Sequence, residues 1–295
     1  MNSTLINFKK ERMCSGICSA ATYHSNADFE VHATILSSLA GRALRAKTTL
    51  LLLICWLPLV VAAQTPAVIP LASEPHHHLV LHNQYVNLYK VEVAPHDSVV
   101  LHRHDFDAIS IMMSDTHVTV YTPGKPEAQH QVVDGQIRLQ PQGYVHSTLI
   151  DGGAPYRNVT IELLLPQEGA RNLCAAVIAT QPLDCPGAQD SRPHEAHMEQ
   201  PQFETNRTSV TLIRVLPHQE VTLGEPGRAE LIVVMDEDVA VKGDGSGTQN
   251  LLHSGTFVWL DKGKATLIFK NNGAKEARLI SFKFRPIESA EARQQ

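Results

Sequence analysis

An internal repetition of short alternating runs constrains this chain more than any other feature. From Leu79 onward, apolar and polar residues alternate in YVNLYKVEV (85–93), AISIMM (108–113), HVTVY (117–121), QIRL (136–139) and NVTIELLL (158–165). Each run is bounded by turn residues such as Pro95, Pro123-Gly124, Asp134-Gly135 and Asp151-Gly152-Gly153. A period of two broken at such short intervals builds antiparallel strands rather than helices. A second set follows in SVTLIRVL (209–216), AELIVVM (229–235), TFVWL (256–260), ATLIFK (265–270) and ARLISFKF (277–284). VAPHDSVVL (93–101) parallels VLPHQEVTL (215–223), and DAISIMMSD (107–115) parallels ELIVVMDED (230–238). The spacing of Gly135, Pro141, Gly143 and His146 returns at Gly255, Asp261, Gly263 and Thr266. The chain is therefore all-β, two copies of one unit. A polar, proline-bearing stretch from Gln181 to Gln202 separates them, and RNLCAAVIA (171–179) reads as a short helix.

Ahead of the repeats, Thr49 to Ala63 is far more apolar than its surroundings. Arg42, Arg45 and Lys47 flank it, and Val61 and Ala63 place small residues at the −3 and −1 positions of a cut before Gln64. This is the pattern of a secretory signal. The run is shorter than the ~20 apolar residues a bilayer requires and contains Pro58, so no stable membrane anchor is expected. Residues 1–63 are set aside as a leader, and the exported part is expected in the periplasm or outside the cell. The leader holds six of the 25 Lys/Arg and three of the 30 Asp/Glu, leaving 19 against 27, a net charge of −8. Such a balance argues against nucleic acid as a partner. Of five cysteines only Cys174 and Cys185 lie beyond the leader. An isolated pair in an oxidising compartment is expected to form a disulfide.

The chemistry concentrates in the first repeat. His102 and His104 are two apart at the end of a strand pattern, so their imidazoles project from one face. Asp107 opens the next strand, and His146 follows the Pro141-Gln142-Gly143 turn. Three imidazoles and a carboxylate form a mixed nitrogen and oxygen set suited to one divalent transition metal. Tyr144, two residues before His146, is placed on the same face as a candidate acid or hydrogen-bond donor. Glu162 and Arg157 lie on a strand that could line the interior. His76, His77 and His78 read as an exposed approach to a strand, and His96, His117 and His130 as surface histidines.

In these residues the sequence resembles the cupin superfamily. The second cupin motif, Gly-x5-Pro-x-Gly-x2-His, is matched in full by Gly135, Pro141, Gly143 and His146. The first, Gly-x5-His-x-His-x3,4-Glu-x6-Gly, is matched at His102 and His104, with Asp107 one residue early in place of the glutamate. His96 and Ser114 occupy its glycine positions. The resemblance covers 79–165 well and 205–285 more weakly. It implies a bicupin: two tandem jelly-roll β-barrels, at 76–170 and 203–288, joined by a linker at 171–202. It also implies a metal held by His102, His104, Asp107 and His146, with iron or manganese as the family's usual choice. Loading outside the cytoplasm would favour zinc or copper instead.

The second repeat lacks this chemistry. Gly224 and Pro226 stand where the paired histidines would be and Thr266 where the later one would be, with only Glu230 at the carboxylate position. Its expected task is to cover the first barrel. Two functions of different class follow: a metalloenzyme acting on a small molecule, of dioxygenase, isomerase or decarboxylase type, or a protein that binds or senses a small ligand without turnover. Either is expected as a monomer or homodimer.

Overall fold

The computed structural model describes residues 67–186, 196–236, 239–243, 249–262 and 266–287. The leader, its cleavage position and Gly263 lie outside these residues. Among them there is no α-helix, only one 3-10 turn at Leu71–Ser73, and no helix long and apolar enough to cross a membrane.

Each repeat folds into a pair of sheets facing one another. In the first, one sheet runs in the order β1 (Ile69–Pro70), β4 (Ser98–Arg103), β9 (Val145–Ile150), β6 (Thr116–Tyr121), β7 (Ala128–Val132). The other runs β2 (His77–His82), β3 (Val86–Val93), β10 (Tyr156–Leu163), β5 (Asp107–Met112), β8 (Ile137–Gln140). The second repeat gives β11 (Arg171–Asn172), β12 (His197–Glu204), β13 (Thr208–Val215), β20 (Ala277–Phe284), β15 (Ala229–Val234), β18 (Phe257–Leu260). Its partner sheet is β14 (Glu220–Leu223), β19 (Leu267–Asn271), β16 (Val239–Gly243), β17 (Asn250–Leu252). The crossing orders 3-10-5-8 and 13-20-15-18, like 4-9-6-7 and 14-19-16-17, are one topology written twice.

The segment at 171–179 is not a helix. Arg171 and Asn172 pair with Glu204 and Phe203. Asn172 then organises the following turn, donating to the carbonyls of Ile178 and Gln181 while its Oδ1 accepts the Ile178 N–H. An Asn side chain that satisfies backbone groups locally competes with helix formation. The stretch read as linker also contains strand, since β12 begins at His197. Cys174 and Cys185 form a disulfide. With 11 residues of separation it closes a short loop, worth roughly 2–3 kcal/mol by the chain-entropy model.

Alternation along the strands sorts three apolar clusters. Val91, Val93, Val99, Met112, Val118, Val132 and Ile150 fill part of the first barrel. Val221, Leu223, Ile232, Val234, Phe269 and Leu279 are among those filling the second. The largest cluster lies between the barrels: Leu88, Ile109, Ile111, Ile161 and Leu163 from one sheet meet Phe203, Val210, Leu231, Val233 and Phe282 from the other. Tyr85, Trp259 and Phe284 meet at its edge as tilted rings with centroids 5.5–5.8 Å apart. Arg278, bound to Asp236 at 2.7 Å, reaches across to Asp134 at 2.7 Å. The second repeat thus covers much of the outer face of one sheet of the first, while Glu92 and Arg157 at one end of that face stay exposed.

Candidate metal centre

The inner face of the first barrel follows from strand parity. Directly paired residues share a face, and the pairs Ser110–Thr160, Met112–Asn158 and His102–His146 all point inward. His104 follows the end of β4, where its N–H donates to the Tyr144 carbonyl at 3.0 Å and its own carbonyl accepts the Gly143 N–H at 2.8 Å. That turn needs Gly143 at a φ of 82°, a left-handed conformation glycine adopts without penalty.

These elements bring His102, His104 and His146 together, with one nitrogen of each within 4.8 Å of the others. The ring centroids are 4.5–5.3 Å apart. His102 and His104 are each 1% exposed. The Val100 carbonyl accepts from His102 Nδ1 at 2.9 Å, which fixes the proton there and leaves Nε2 as a lone pair. That Nε2 is buried and has no partner. The Nε2 atoms of His104 and His146 lie 3.1 Å apart. Burial lowers all three pKa values, His102 to about 4, His104 to about 3 and His146 well below its ordinary value, with the neighbouring imidazoles depressing His104 and His146 further. Neutral imidazoles with inward lone pairs are the state a metal requires. An orphaned buried nitrogen is otherwise costly, so the donor set fits a divalent transition metal.

Asp107 is not brought to the histidines. It pairs with Leu163, whose side chain lies in the cluster between the barrels, and its Oδ1 accepts the Gln142 N–H at 2.9 Å. The inward neighbour is Ala108, so the one-residue offset from the motif puts the carboxylate on the opposite face. The same slip affects the repeat alignment. Gly135 donates to Met112 and Gly255 to Val234, which makes Ala108, not Asp107, the counterpart of Glu230.

Tyr144 lies at the mouth, its ring stacked on His146 at 4.6 Å and its hydroxyl 3.4 Å from Thr122 Oγ1. The space among the histidines is about 10 Å³ and is bordered by Ser110, Gln140, Thr148, Asn158 and Thr160. It shares Gln140, His146, Thr148 and Tyr156 with a wider cleft of about 360 Å³, where Lys125, Arg138, His130 and Tyr144 also stand. Arg157 is outside this set; its guanidinium donates to the Met113 carbonyl. Glu162 is buried inside the barrel at the level of Ala108. It accepts from Tyr89 Oη at 3.0 Å and Asn87 Nδ2 at 2.9 Å, and burial raises its pKa.

The reading of His77 as exposed is overturned. It pairs with Val91, which belongs to the inner cluster. Its side chain is 6% exposed and borders the histidine cavity. Glu74, wholly buried, receives its Nδ1 at 2.6 Å, the His76 N–H at 2.8 Å and the Val100 N–H at 3.2 Å. Burial alone would raise the Glu74 pKa, but the hydrogen bonds from His77 and His76 outweigh it and bring it down to about 2. Glu74 precedes the first alternating run, so no periodicity marks it.

The second barrel is closed at the equivalent place. Gly224 has a φ of 115°, and a Cβ there would meet Thr266 Cα at 3.2 Å and Leu260 Cδ1 at 3.3 Å. No imidazole fits. Two barrels of one topology, with a His-x-His pair and a later histidine facing each other across strands in the first alone, decide the architecture. The fold is that of a bicupin. No family model matches the sequence, and no curated protein matches it. Among solved structures this chain is similar to AerE from Microcystis aeruginosa, at 12% identity and a TM-score of 0.46 over 72% of this chain and 99% of that one. It is also similar to salicylate 1,2-dioxygenase from Pseudoaminobacter salicylatoxidans, at 12% identity and 0.48 over 68% of each chain for the gentisate adduct. A mutant of that enzyme in complex with gentisate gives 0.49 over 71% and 74%. Likeness at this level carries no activity across.

Glu230 is a buried carboxylate of the second barrel, 0% exposed, with Ser281 Oγ donating to Oε1 at 2.5 Å and Oε2 unpartnered. Burial raises its pKa. A carboxyl raised in the folded state contributes stability that is present below the unfolded pKa and lost as pH rises through the folded one. Glu230→Gln is therefore expected to gain on the parent in thermal midpoint as pH goes from 4 to 8. A difference that stays constant across that range contradicts a neutral Glu230.

Proposed function

We propose that the protein is an exported small-molecule metalloenzyme whose one site lies in the first barrel. The observation that carries this reading is the set of three neutral imidazoles, His102, His104 and His146, converging beside an open cleft. A divalent metal bound there would act as a Lewis acid or redox centre with positions left free for a small ligand. The chain's own residues prepare the rest. Tyr144 stands over His146 at the cleft and can donate to or orient a ligand's oxygen. Lys125 and Arg138 give the cleft positive charge, which suits an anionic substrate. Met112, Val118 and Val132 form its apolar wall. Ser110, Thr160 and Asn158 hold one another at 2.8–3.1 Å, keeping the polar inner wall fixed. The apolar segment at 49–63 and the disulfide support export. Iron or manganese follows from the resemblance, and zinc or copper from loading outside the cytoplasm.

The test is whether the loaded centre keeps open positions. Protein loaded with iron(II) without oxygen and then exposed to nitric oxide is expected to give the spin-3/2 resonance of an iron–nitrosyl species, and Tyr144→Phe to retain it. Tight iron with no nitrosyl signal would mean a closed centre and favour a non-catalytic binding protein.

A further inference from the structure

The three histidines leave a charge problem. Neutral imidazoles bring no negative charge to a divalent ion, and a charge buried without compensation is expensive. The carboxylate that the resemblance would supply is absent from the inner face, because Asp107 lies on the other side of its strand. Glu162 does not replace it, being engaged by Tyr89 and Asn87. The remaining buried carboxylate of this barrel is Glu74, and it reaches the cavity through His77. The His77 ring lies 5.1 Å from that of His102, within the range of the separations among the three histidines themselves. Its Nδ1 is committed to Glu74 at 2.6 Å, so the nitrogen free to face the cavity is Nε2. A carboxylate behind an imidazole, fixing its tautomer and raising its basicity, is the arrangement found behind metal-ligating histidines.

We propose that His77 is the fourth protein ligand of the centre, bound through Nε2 and oriented by Glu74. The proposal rests on the metal-binding reading of His102, His104 and His146. The tight group includes only those three nitrogens, so the proposal requires the His77 ring to move toward them when metal binds. Glu74 also holds the Val100 N–H, and the Val100 carbonyl holds His102. One carboxylate therefore sets the orientation of two ligands that come from the two facing sheets, His77 on β2 and His102 on β4.

X-ray absorption on the zinc-loaded protein tests this, since the multiple scattering of imidazoles at about 2.0 Å counts them. Four are expected in the parent and three in His77→Phe, which keeps an aromatic ring on the barrel wall. Glu74→Gln is expected to retain four while zinc affinity falls roughly 10–100-fold, the usual cost of losing a group that orients a ligand. Three imidazoles in the parent, with affinity unchanged in His77→Phe, would overturn the proposal and leave the three-histidine centre standing. A parent that takes up no zinc would overturn the centre itself. A thermal melt of each variant separates ligand loss from unfolding.

Discussion

Replacing His102 and His104 together by alanine is expected to reduce the metal content of the protein from about one equivalent to near zero, as measured by elemental mass spectrometry. Structural zinc sites with four ligands have apparent binding free energies of about 10–16 kcal/mol. Losing two of the three clustered imidazoles costs several kcal/mol of that, at least ~10³-fold in affinity. The change removes two buried nitrogens without partners, His102 Nε2 and His104 Nδ1, but also leaves the Val100 carbonyl without the His102 Nδ1 donor, so a thermal melt accompanies the metal assay to separate metal loss from unfolding. Metal uptake by the parent has its own pH signature. Burial keeps His102 and His104 neutral down to about 4 and 3, so uptake is expected to stay level from pH 8 to 5. A free histidine site would instead lose metal as pH falls through ~6.5. Equal metal in parent and variant would place the centre elsewhere.

Removing the second barrel by ending the chain at residue 170 is expected to give an aggregating product. The cut uncovers Leu88, Ile109, Ile111, Ile161 and Leu163, each at most 2% exposed in the intact protein. At roughly 1.5–3 kcal/mol per buried side chain, five are worth on the order of 10 kcal/mol, comparable to the net stability of a whole domain. The exposed residues also form a contiguous apolar sheet face, which promotes association. Leu231→Asp makes the same point without truncation, placing an unpaired charge in the interface at a cost of several kcal/mol. A soluble first barrel that still binds metal would show that the second is dispensable, and size-exclusion chromatography with elemental detection decides between the outcomes.

Much of the candidate metal centre was legible in the chain because motif spacing and strand period are local. His102 and His104 had to share a face, and the Gly143 turn had to return His146 toward them. The errors came from parity and from residues without a pattern. Asp107 looked close enough to the motif position, yet one residue reverses the face of a strand. His77 sat in a run of three histidines that suggested solvent, and only its pairing with Val91 turned it inward. Glu74 lies in no strand at all. The short helix expected at 171–179 gave way to the bonds Asn172 makes with its own backbone neighbours.

The sequence by itself determined the all-β class, the duplication, the pairing of the two late cysteines and the three-histidine core of the site, since all follow from short-range periodicity and spacing. Tertiary structure decided which carboxylates lie near the histidines and which face of the first barrel the second one packs against. Those outcomes depend on strand register, on which sheet faces its partner and on which polar groups become buried together. Such relations join residues far apart in the chain, and local alternation does not encode them.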